Sequence, residues 1–381
     1  MQFIRFTAAI GTLALWGGAA IAAGGPGQYL KKPDAWFGGE EARQIAERIL
    51  TYQSDLGGWP KNVDTTARPF AGDRNDLRPT FDNRATTDEL RFLARMLVAT
   101  KDQRYQKAFV RGFDYILTAQ YPNGGWPQYY PPGKQYPRHI TFNDGAMVRL
   151  MDFLRETAAL DRFAFLDAPR RDAARRAFDR GIACILKCQV RVDGKRTGWC
   201  AQHDEIDFRP RPARAYELAS LSGCESVGIV RLLMSLERPS PEVIEAVEGA
   251  VAWFRAAEIK GIRVERREDK QSPGGHDLVV VADPSAPPLW ARFYEIGTNR
   301  PIFCDRDGVP KRTLAEIGHE RRNGYAWLGN WPRSLLERDY PAWKEKRLAV
   351  SSQQSAFRSR STQVRTGMEE AVVVRLDEAR P

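Results

Sequence analysis

The chain has 381 residues, a formal net charge of +10 and a sequence pI near 9.4. This length allows one large domain or two smaller ones with a sizeable hydrophobic core. Beyond the N-terminus no segment is apolar enough to cross a bilayer, which excludes a protein with several membrane spans. The excess of basic residues suits a polyanion, namely an acidic polysaccharide, a membrane surface or nucleic acid, or it simply favours solubility; charge alone does not distinguish these.

The first 23 residues have the pattern of a signal peptide. Arg5 provides a positive start, residues 6–19 form an apolar run, and Ala20-Ile21-Ala22 supplies the small residues typical of a cleavage site. The alternative is a membrane anchor, but the run is short and rich in Ala and Gly. We therefore expect an exported protein, periplasmic or secreted, without membrane attachment after cleavage.

Two segments of the remaining chain repeat each other. Residues 53–60 (Gln-Ser-Asp-Leu-Gly-Gly-Trp-Pro) are matched by residues 120–127 (Gln-Tyr-Pro-Asn-Gly-Gly-Trp-Pro). Each is followed by a second shared string, Thr-Phe-Asp-Asn at 80–83 and Thr-Phe-Asn-Asp at 141–144. Two matched strings in the same order indicate internal repetition.

Helical spacing of apolar residues surrounds these strings and predicts a series of hairpins. The expected helices cover residues 42–52, a stretch from Thr86, and residues 105–118, 144–154, 173–190, 226–236 and 242–256. Thr86 with Glu89, and Ser222 with Glu225, have the spacing of a capping box. In a third, degraded unit Gly-Trp-Cys at 198–200 replaces the Trp loop.

The pattern changes after residue 261. Residues 262–265, 278–282 and 290–296 are rich in β-branched and aromatic residues and predict short strands. We expect one domain over residues 24–349 and a disordered tail over residues 350–381, where Ser, Arg and Gln dominate. The predicted fold is mainly α, an incomplete α/α toroid of helical hairpins with a few short strands in the C-terminal part.

The five cysteines do not indicate a zinc site, and the sequence leaves any disulfide pairing among them open. An odd number cannot all pair within the chain, and zinc-type ligand spacing is absent. Cys184 and Cys188 lie one helical turn apart, which favours two small buried residues on one helix.

The duplicated Asp and Asn residues are the first candidates for chemistry. The side chains of Asp82, Asn83, Asn143 and Asp144 offer hard oxygen donors suited to calcium. The alternative is helix N-capping, for which Asp and Asn are favoured. Because the context is repeated, we favour a metal or sugar site assembled from neighbouring hairpins.

Aromatic and basic side chains form a second set of candidates. The Gly-Gly-Trp-Pro loops can either present Trp126 to a sugar or bury it between hairpins, and Tyr130 is a further stacking candidate. Arg214, Arg292, Arg300 and Arg306 can grip carboxylates at two points, or belong to a solvated surface or to structural ion pairs. A lone histidine such as His203 is more often structural than functional.

Several ordered strings resemble pectate lyase family 10. They are Thr-Phe-Asp-Asn-Arg-Ala-Thr-Thr at 80–87, Tyr-Pro-Asn-Gly-Gly-Trp-Pro-Gln at 121–128, Ile-Thr-Phe-Asn-Asp-Gly-Ala-Met at 140–147, Trp-Cys-Ala-Gln-His-Asp at 199–204 and Pro-Ala-Arg-Ala-Tyr-Glu-Leu-Ala-Ser at 212–220. Arg-Phe-Tyr-Glu at 292–295 and Asp-Arg-Asp-Gly at 305–308 are also similar. The resemblance extends over roughly residues 42–340.

This resemblance implies an α/α toroid and calcium-assisted β-elimination of polygalacturonate. It implies that Arg214 abstracts the proton and that Asp144 is the main protein ligand of calcium, with Asp82 a second ligand. Asp82 and Asn83 would also contact substrate, as would Arg292, Arg300, Arg306, Trp126, Tyr130 and His203. We expect a monomer that binds no nucleic acid.

An arginine base needs a neutral guanidine, which free arginine does not supply near neutral pH. Crowding by calcium and other arginines is expected to lower the pKa of Arg214, so activity should peak at alkaline pH. The alternatives are a non-catalytic polysaccharide-binding protein, a hydrolase on the same toroid and a terpene-cyclase-like enzyme. The last lacks its Asp-rich strings here.

Overall fold

A computed structural model describes residues 24–349 of the chain. The predicted signal peptide over residues 1–23 and the predicted tail over residues 350–381 lie outside the described residues. Within the described part, no helix is long and apolar enough to span a membrane.

Helical hairpins make up most of the fold. Eight α-helices lie between residues 24 and 332, namely α1 Glu40–Thr51, α2 Thr87–Thr100, α3 Gln103–Thr118, α4 Ala146–Ala159, α5 Ala168–Cys188, α6 Glu225–Met234, α7 Pro241–Ala256 and α8 His319–Gly324. A π-helical turn, Leu335–Asp339, continues as helix through residues 340–349.

The helices form two layers. The outer helices α3, α5 and α7 contact one another in order, as do the inner helices α2, α4 and α6. Contacts of α2 with α3, of α4 with α5 and of α6 with α7 join the layers. This is the mainly α, incomplete toroid predicted from the hairpin pattern, and the prediction is confirmed.

Short antiparallel strand pairs connect the hairpins. The pairs are β1 Ile140–Thr141 with β4 Gln202–His203, β2 Arg191–Val192 with β3 Lys195–Arg196, β5 Leu221–Ser222 with β9 Phe293–Tyr294, β6 Ile262–Glu268 with β7 His276–Ala282, β8 Trp290–Ala291 with β12 Leu328–Gly329, and β10 Phe303–Cys304 with β11 Pro310–Lys311. The predicted C-terminal strands are present, and β1–β5 add pairs upstream. These two-residue strands are too short to produce a sequence period.

The outer and inner helices begin differently. In α3, α5 and α7 the first turn is capped by the side chains of Asp102, Asp167 and Ser240. The inner helices α2 and α4 have no such side-chain cap, whereas the Ser222 hydroxyl accepts from the N–H of Glu225, the first residue of α6, at 3.0 Å. The uncapped N–H groups leave a partial positive charge at the starts of α2 and α4.

The predicted capping box at Thr86 is wrong. The Thr86 hydroxyl accepts a hydrogen bond from the Trp59 backbone N–H at 3.0 Å and donates to the Thr80 carbonyl at 2.9 Å. Thr86 is thus engaged by the Trp loop and the turn before α2, and it does not cap the helix. Its positive φ of 70° also differs from the extended conformation of an N-cap residue.

Tryptophan residues anchor each loop in the core. The indole N–H groups of Trp59, Trp126 and Trp199 donate at 2.8–2.9 Å to carbonyls at the ends of α1, α3 and α5. Trp290 makes the same bond to the end of α7. All four side chains are buried, so the contact is preserved in the degraded third unit and again at α7, although the loop sequences there differ.

A buried glutamine joins each Trp loop to the next hairpin. The Gln53 amide donates to the carbonyls of Gly57 in its own loop and of Ala108 in α3, both at 2.8 Å. Gln120 and Gln189 repeat this contact with α5 and α7. Because both amide N–H donors are used, each loop is held in a defined position along the next outer helix.

The first glycine of each Gly-Gly pair permits this close approach. A Cβ atom at Gly57 would lie 2.4 Å from a backbone oxygen of α3, and one at Gly124 would lie 2.1 Å from a backbone oxygen of α5. Both glycines also have positive φ, 106° and 94°. The repeated glycines therefore follow from helix proximity and backbone conformation.

Replacing Gln189 with Ala should destabilise the fold. The change leaves the buried carbonyls of Thr197 and Ala246 without their amide donor, at a cost of about 1–3 kcal/mol. Urea unfolding followed by circular dichroism measures the free energy. The exposed Gln271→Ala is the control, and an equal change in both variants would contradict the assigned role.

Candidate active site

The N-terminal ends of the inner helices lie side by side. The turn Asp82–Arg84 before α2 contacts the turn Asn143–Gly145 before α4, and the latter turn contacts α6. Asn83 and Asp144 occupy equivalent places with φ of 50° and 49°. Asn and Asp tolerate this left-handed conformation better than most residues, so the repeat presents one polar side chain per turn.

Asp144 is the accessible acid of this group, with a side chain that is 39 % exposed. One carboxylate oxygen accepts from Arg292 at 3.0 Å and the other from the Asn143 amide at 2.8 Å. Arg149, one turn into α4, donates to the Asp144 backbone carbonyl. The left-handed turn is thus held from the helix and from the later arginine.

Arg292 lies beneath Asp144 and is only 8 % exposed. Its terminal nitrogen also bonds the buried carboxylate of Glu225 at 2.5 Å. Burial by itself lowers the pKa of Arg292, but the Glu225 charge opposes this and the pKa lies above its usual value. Arg292 is therefore a permanent cation shared by two carboxylates.

Tyr325 connects this group to Arg214. The Arg292 guanidinium carbon lies 4.8 Å from the Tyr325 ring centroid and that of Arg214 lies 5.8 Å from it. The Tyr325 hydroxyl donates at 2.8 Å to Glu217, which accepts two bonds from the Arg214 guanidinium at 2.7 and 2.5 Å. Asp144 and Arg214, 70 positions apart in sequence, are thus linked through Arg292 and the Tyr325 ring.

Glu217 controls the protonation of Arg214, whose side chain is 44 % exposed. Burial lowers the pKa of Arg214, but the hydrogen bond and charge of Glu217 outweigh it, so the pKa is raised. The arginines described here do not lower this pKa as expected, while the lowering expected from calcium stays a prediction. A carboxylate in two-point contact stabilises the guanidinium more strongly than nearby cations disfavour it.

Asp82 differs from Asp144 because its side chain is 3 % exposed. One oxygen accepts from Lys61 and from the Gln128 amide at 2.7 Å, and the other accepts from the Asn83 backbone N–H at 2.9 Å. These donors occupy the positions that a metal or sugar would use. The roles of Asp82 as ligand and substrate contact stay predictions, since both require a donor to withdraw.

Of the other two predicted arginines, Arg306 lies near the site and Arg300 shows no link to it. The Arg306 guanidinium carbon is 5.8 Å from the Tyr216 ring, against which Arg214 also packs at 4.9 Å. Arg306 is exposed and pairs with Glu320. Arg300 is exposed in a turn where its backbone N–H bonds Thr298 and its charge acts on Glu295.

A family model described as pectic acid lyase matches residues 53–336. The chain belongs to this family. It is similar to the family 10 polysaccharide lyase from Cellvibrio cellulosa, with 33% identity and a TM-score of 0.69 over 82% of this chain and 94% of that one. A mutant of the family 10 lyase from the same organism, in complex with trigalacturonic acid, gives 33% identity and a TM-score of 0.70 over 82% and 95%. No match to a curated protein was found.

The chain is therefore a pectate lyase, and the resemblance stated from its motifs is confirmed. The site of this lyase contains residues that the motifs did not single out. Glu217, Glu225 and Tyr325 bind or pack against the predicted arginines, and Arg149 supports Asp144. Glu217 lies within the family-like string at 212–220. Tyr325 lies in none of the repeated or family-like strings, so the sequence offered no sign of its role.

Two predicted substrate contacts of the lyase are wrong. Trp126 is 1 % exposed and its indole is bonded within the core, so it cannot stack on a sugar. His203 is fully buried, accepts from the Cys200 N–H and bonds the Phe208 carbonyl. Burial lowers its pKa to about 4, which makes it a neutral structural histidine.

Tyr130 has an intermediate position. Its ring packs edge-on against Tyr115, with ring centroids 6.0 Å apart, and its carbonyl accepts from the Tyr115 hydroxyl. The side chain is half-buried. Its role as a stacking platform stays a prediction, whereas the adjacent Tyr129 lies nearer the charged groups, 5.3 Å from Lys61.

Oxygen donors at the turn before α4 fit calcium. Asp144 and Asn143 supply carboxylate and amide oxygens, the hard ligands that calcium prefers. A different cluster in residues 24–349 brings ligand atoms of His139, Asp204 and Glu205 within 4.8 Å of one another. Its carboxylates accept from Arg211 and Arg138 at 2.8 and 2.5 Å, just as that of Asp144 accepts from Arg292 and Asn143.

Replacing Arg292 with Met should destabilise the lyase by about 3–5 kcal/mol, because it leaves the buried Glu225 charge without its partner. The second change Glu225→Gln should recover part of this loss. Chemical denaturation measures both, with the exposed Arg300→Met as control. A loss of under about 1 kcal/mol in the single variant would show that Glu225 does not depend on Arg292.

Proposed function

We propose that this pectate lyase cleaves polygalacturonate by β-elimination at the cluster of Asp144, Arg292 and Arg214, with calcium as cofactor. The supporting observation is that these residues from three separate segments form one chain of contacts: Asp144 accepts from Arg292, and Arg292 and Arg214 both pack against Tyr325. The complex of a similar lyase with trigalacturonic acid supports the choice of substrate.

Elimination requires loss of a weakly acidic proton from C5 of galacturonate. Groups that bind the neighbouring carboxylate disperse the negative charge that develops in the transition state. In this chain Arg292 is fixed by Asp144 and Glu225 and needs little reorganisation. It is thus positioned to stabilise that charge, while Arg306 extends the basic surface beside Tyr216.

Asp144, supported by Asn143, is the residue that would hold calcium. When bound, calcium supplies neutralisation of the sugar carboxylate and of the charge developing at C5. Arg292 now occupies one Asp144 oxygen, so it would share that carboxylate with the metal.

Arg214 is the proposed base. Its neutral guanidine would take the C5 proton as the C4–C5 double bond forms and the C4–O bond breaks, with the leaving oxygen protonated from water. Glu217 and Tyr216 fix the side chain in place. Because Glu217 favours the protonated form, high pH is needed, and an alkaline optimum remains the expectation for a different reason from crowding.

The remaining parts of the proposal concern where and how the enzyme acts. Export through residues 1–23, to the periplasm or the medium, would bring it to a plant cell-wall polysaccharide. Action as a monomer is also proposed. The family assignment favours a lyase over a non-catalytic binding protein and over a hydrolase on the same toroid.

Arg214→Ala tests the base. General-base catalysis typically contributes 10²–10⁴-fold, so kcat should fall by roughly that factor while affinity for oligogalacturonate changes by less than about fivefold. Ultraviolet absorbance of the unsaturated product follows turnover, and calorimetry follows binding. Chelation of calcium should abolish the absorbance increase in the wild type. Product formation that survives chelation would refute the metal assignment, and an undiminished kcat would refute the base.

Glu217→Gln tests how the base is controlled. Removing the carboxylate charge lowers the pKa of Arg214, so more neutral guanidine is present at a given pH and the rising limb of the pH–rate profile should move to lower pH. The control is the exposed Glu337→Gln. An unmoved limb, or a shift to higher pH, would contradict the dependence of Arg214 on Glu217.

A further inference from the structure

Lys61 and Gln128 occupy matching positions in the two repeated Trp loops. Each lies two residues after the tryptophan, in Trp-Pro-Lys at 59–61 and Trp-Pro-Gln at 126–128. Both side chains donate to the same oxygen of Asp82. The repeat therefore directs two loops at one buried carboxylate, an arrangement that the catalytic scheme leaves without a role.

The ammonium is the accessible end of this arrangement. The Asp82 side chain is 3 % exposed and the Lys61 side chain is 20 % exposed. The Lys61 nitrogen lies 5.3 Å from the Tyr129 ring centroid, and the Arg78 guanidinium carbon lies 5.6 Å from the same ring. Since an ammonium has three donors, Lys61 can keep its bond to Asp82 and still bind a further acceptor.

Tyr136 connects this group to the proposed base. Burial raises the pKa of the Tyr136 phenol, and the phenol also interacts with the charges of Arg214, Glu217 and Lys61. The turn that begins at Asp82 also contacts the turn that contains Asp144, so the Lys61 group adjoins the proposed catalytic site.

We propose that Lys61 and Tyr129 form a second carboxylate-binding subsite, which takes the galacturonate unit adjacent to the one deprotonated at Arg214. Asp82 and Gln128 position the ammonium, and Tyr129 offers its ring to the sugar. This inference rests on the proposed function, because it assumes that polygalacturonate lies across the cleft.

The charge balance agrees with this role. Asp82 neutralises Lys61 in part, and Arg78 adds a second positive charge at Tyr129, so the subsite remains attractive to an anion.

Lys61→Gln is the variant to test, because glutamine keeps a donor for Asp82, as Gln128 does, and removes the charge. We expect KM for polygalacturonate to rise about 10- to 100-fold with kcat changed less than about threefold, since a charged hydrogen bond contributes roughly that much. Lys61→Arg should restore most of the affinity. The exposed Lys107→Gln removes the same charge elsewhere and should behave as wild type.

A second substrate tests the chemical basis of the effect. On highly methyl-esterified pectin, whose units carry few free carboxylates, the wild type and Lys61→Gln should differ by less than about threefold in kcat/KM. An equal loss on both substrates would mean that Lys61 acts through structure. A collapse of kcat at constant KM would place it at the reacting sugar. Either result, or an unchanged KM, overturns the proposal.

Calorimetry separates this inference from the lyase mechanism. Trigalacturonate is titrated into Arg214→Ala and into Arg214→Ala with Lys61→Gln, so that binding is measured without turnover. A loss of affinity of at least tenfold in the double variant supports the subsite even if the wild type releases no unsaturated product. Equal affinities overturn it even if the lyase assay succeeds.

Discussion

The glutamine amide between successive hairpins is the contact on which the cleft depends. Gln53, Gln120 and Gln189 each use both amide donors, one on their own loop and one on the next outer helix. An amide that bonded only one partner would leave a buried polar group unsatisfied, which costs more than a typical hydrogen bond contributes. Each Trp loop is therefore held in a defined position along the next outer helix.

The position of each tryptophan loop also determines the position of the polar turn, because the loop is hydrogen-bonded to the residue that precedes the turn. The backbone carbonyls of Trp59, Trp126 and Trp199 accept from the N–H groups of Thr80, Thr141 and Ser222 at 2.7–3.1 Å. These three residues precede the turns at the inner helix ends. A displacement of a loop would thus also move Asp82, Asp144 or Glu225.

The cleft is organised as acids that are each held by a cation. Lys61 contacts Asp82, Arg292 contacts Asp144 and Glu225, and Arg214 contacts Glu217. In the pairs of Asp82, Glu225 and Glu217 the acid is the more buried member and holds the cation in place. In the pair of Asp144 with Arg292 the acid is the more exposed member. This exception is what makes Asp144 the candidate metal ligand, whereas elsewhere the accessible group is positive and suits an anionic sugar.

Much of this arrangement follows from the linear order of residues. The repeated strings, the helical spacing and the duplicated Asp and Asn identify the hairpins and the polar turns, because each hairpin is a local structure with its own apolar period. The sequence did not predict which side chains are buried or paired with one another. Trp126 and His203 lie in motifs shared with the family yet are buried, and Arg300 shares a segment with Arg292 but sits in an exposed turn with Glu295.

By itself, the sequence determined the α/α toroid, the family and the residue types available to a pectate lyase. Only the tertiary structure decided which of them meet: that Tyr325 joins Arg292 to Arg214, that Glu217 raises the pKa of the proposed base, and that Lys61 rather than Asp82 is the accessible member of its pair. The physical reason is that burial and pairing depend on contacts between segments far apart in the chain, and no local periodicity encodes them.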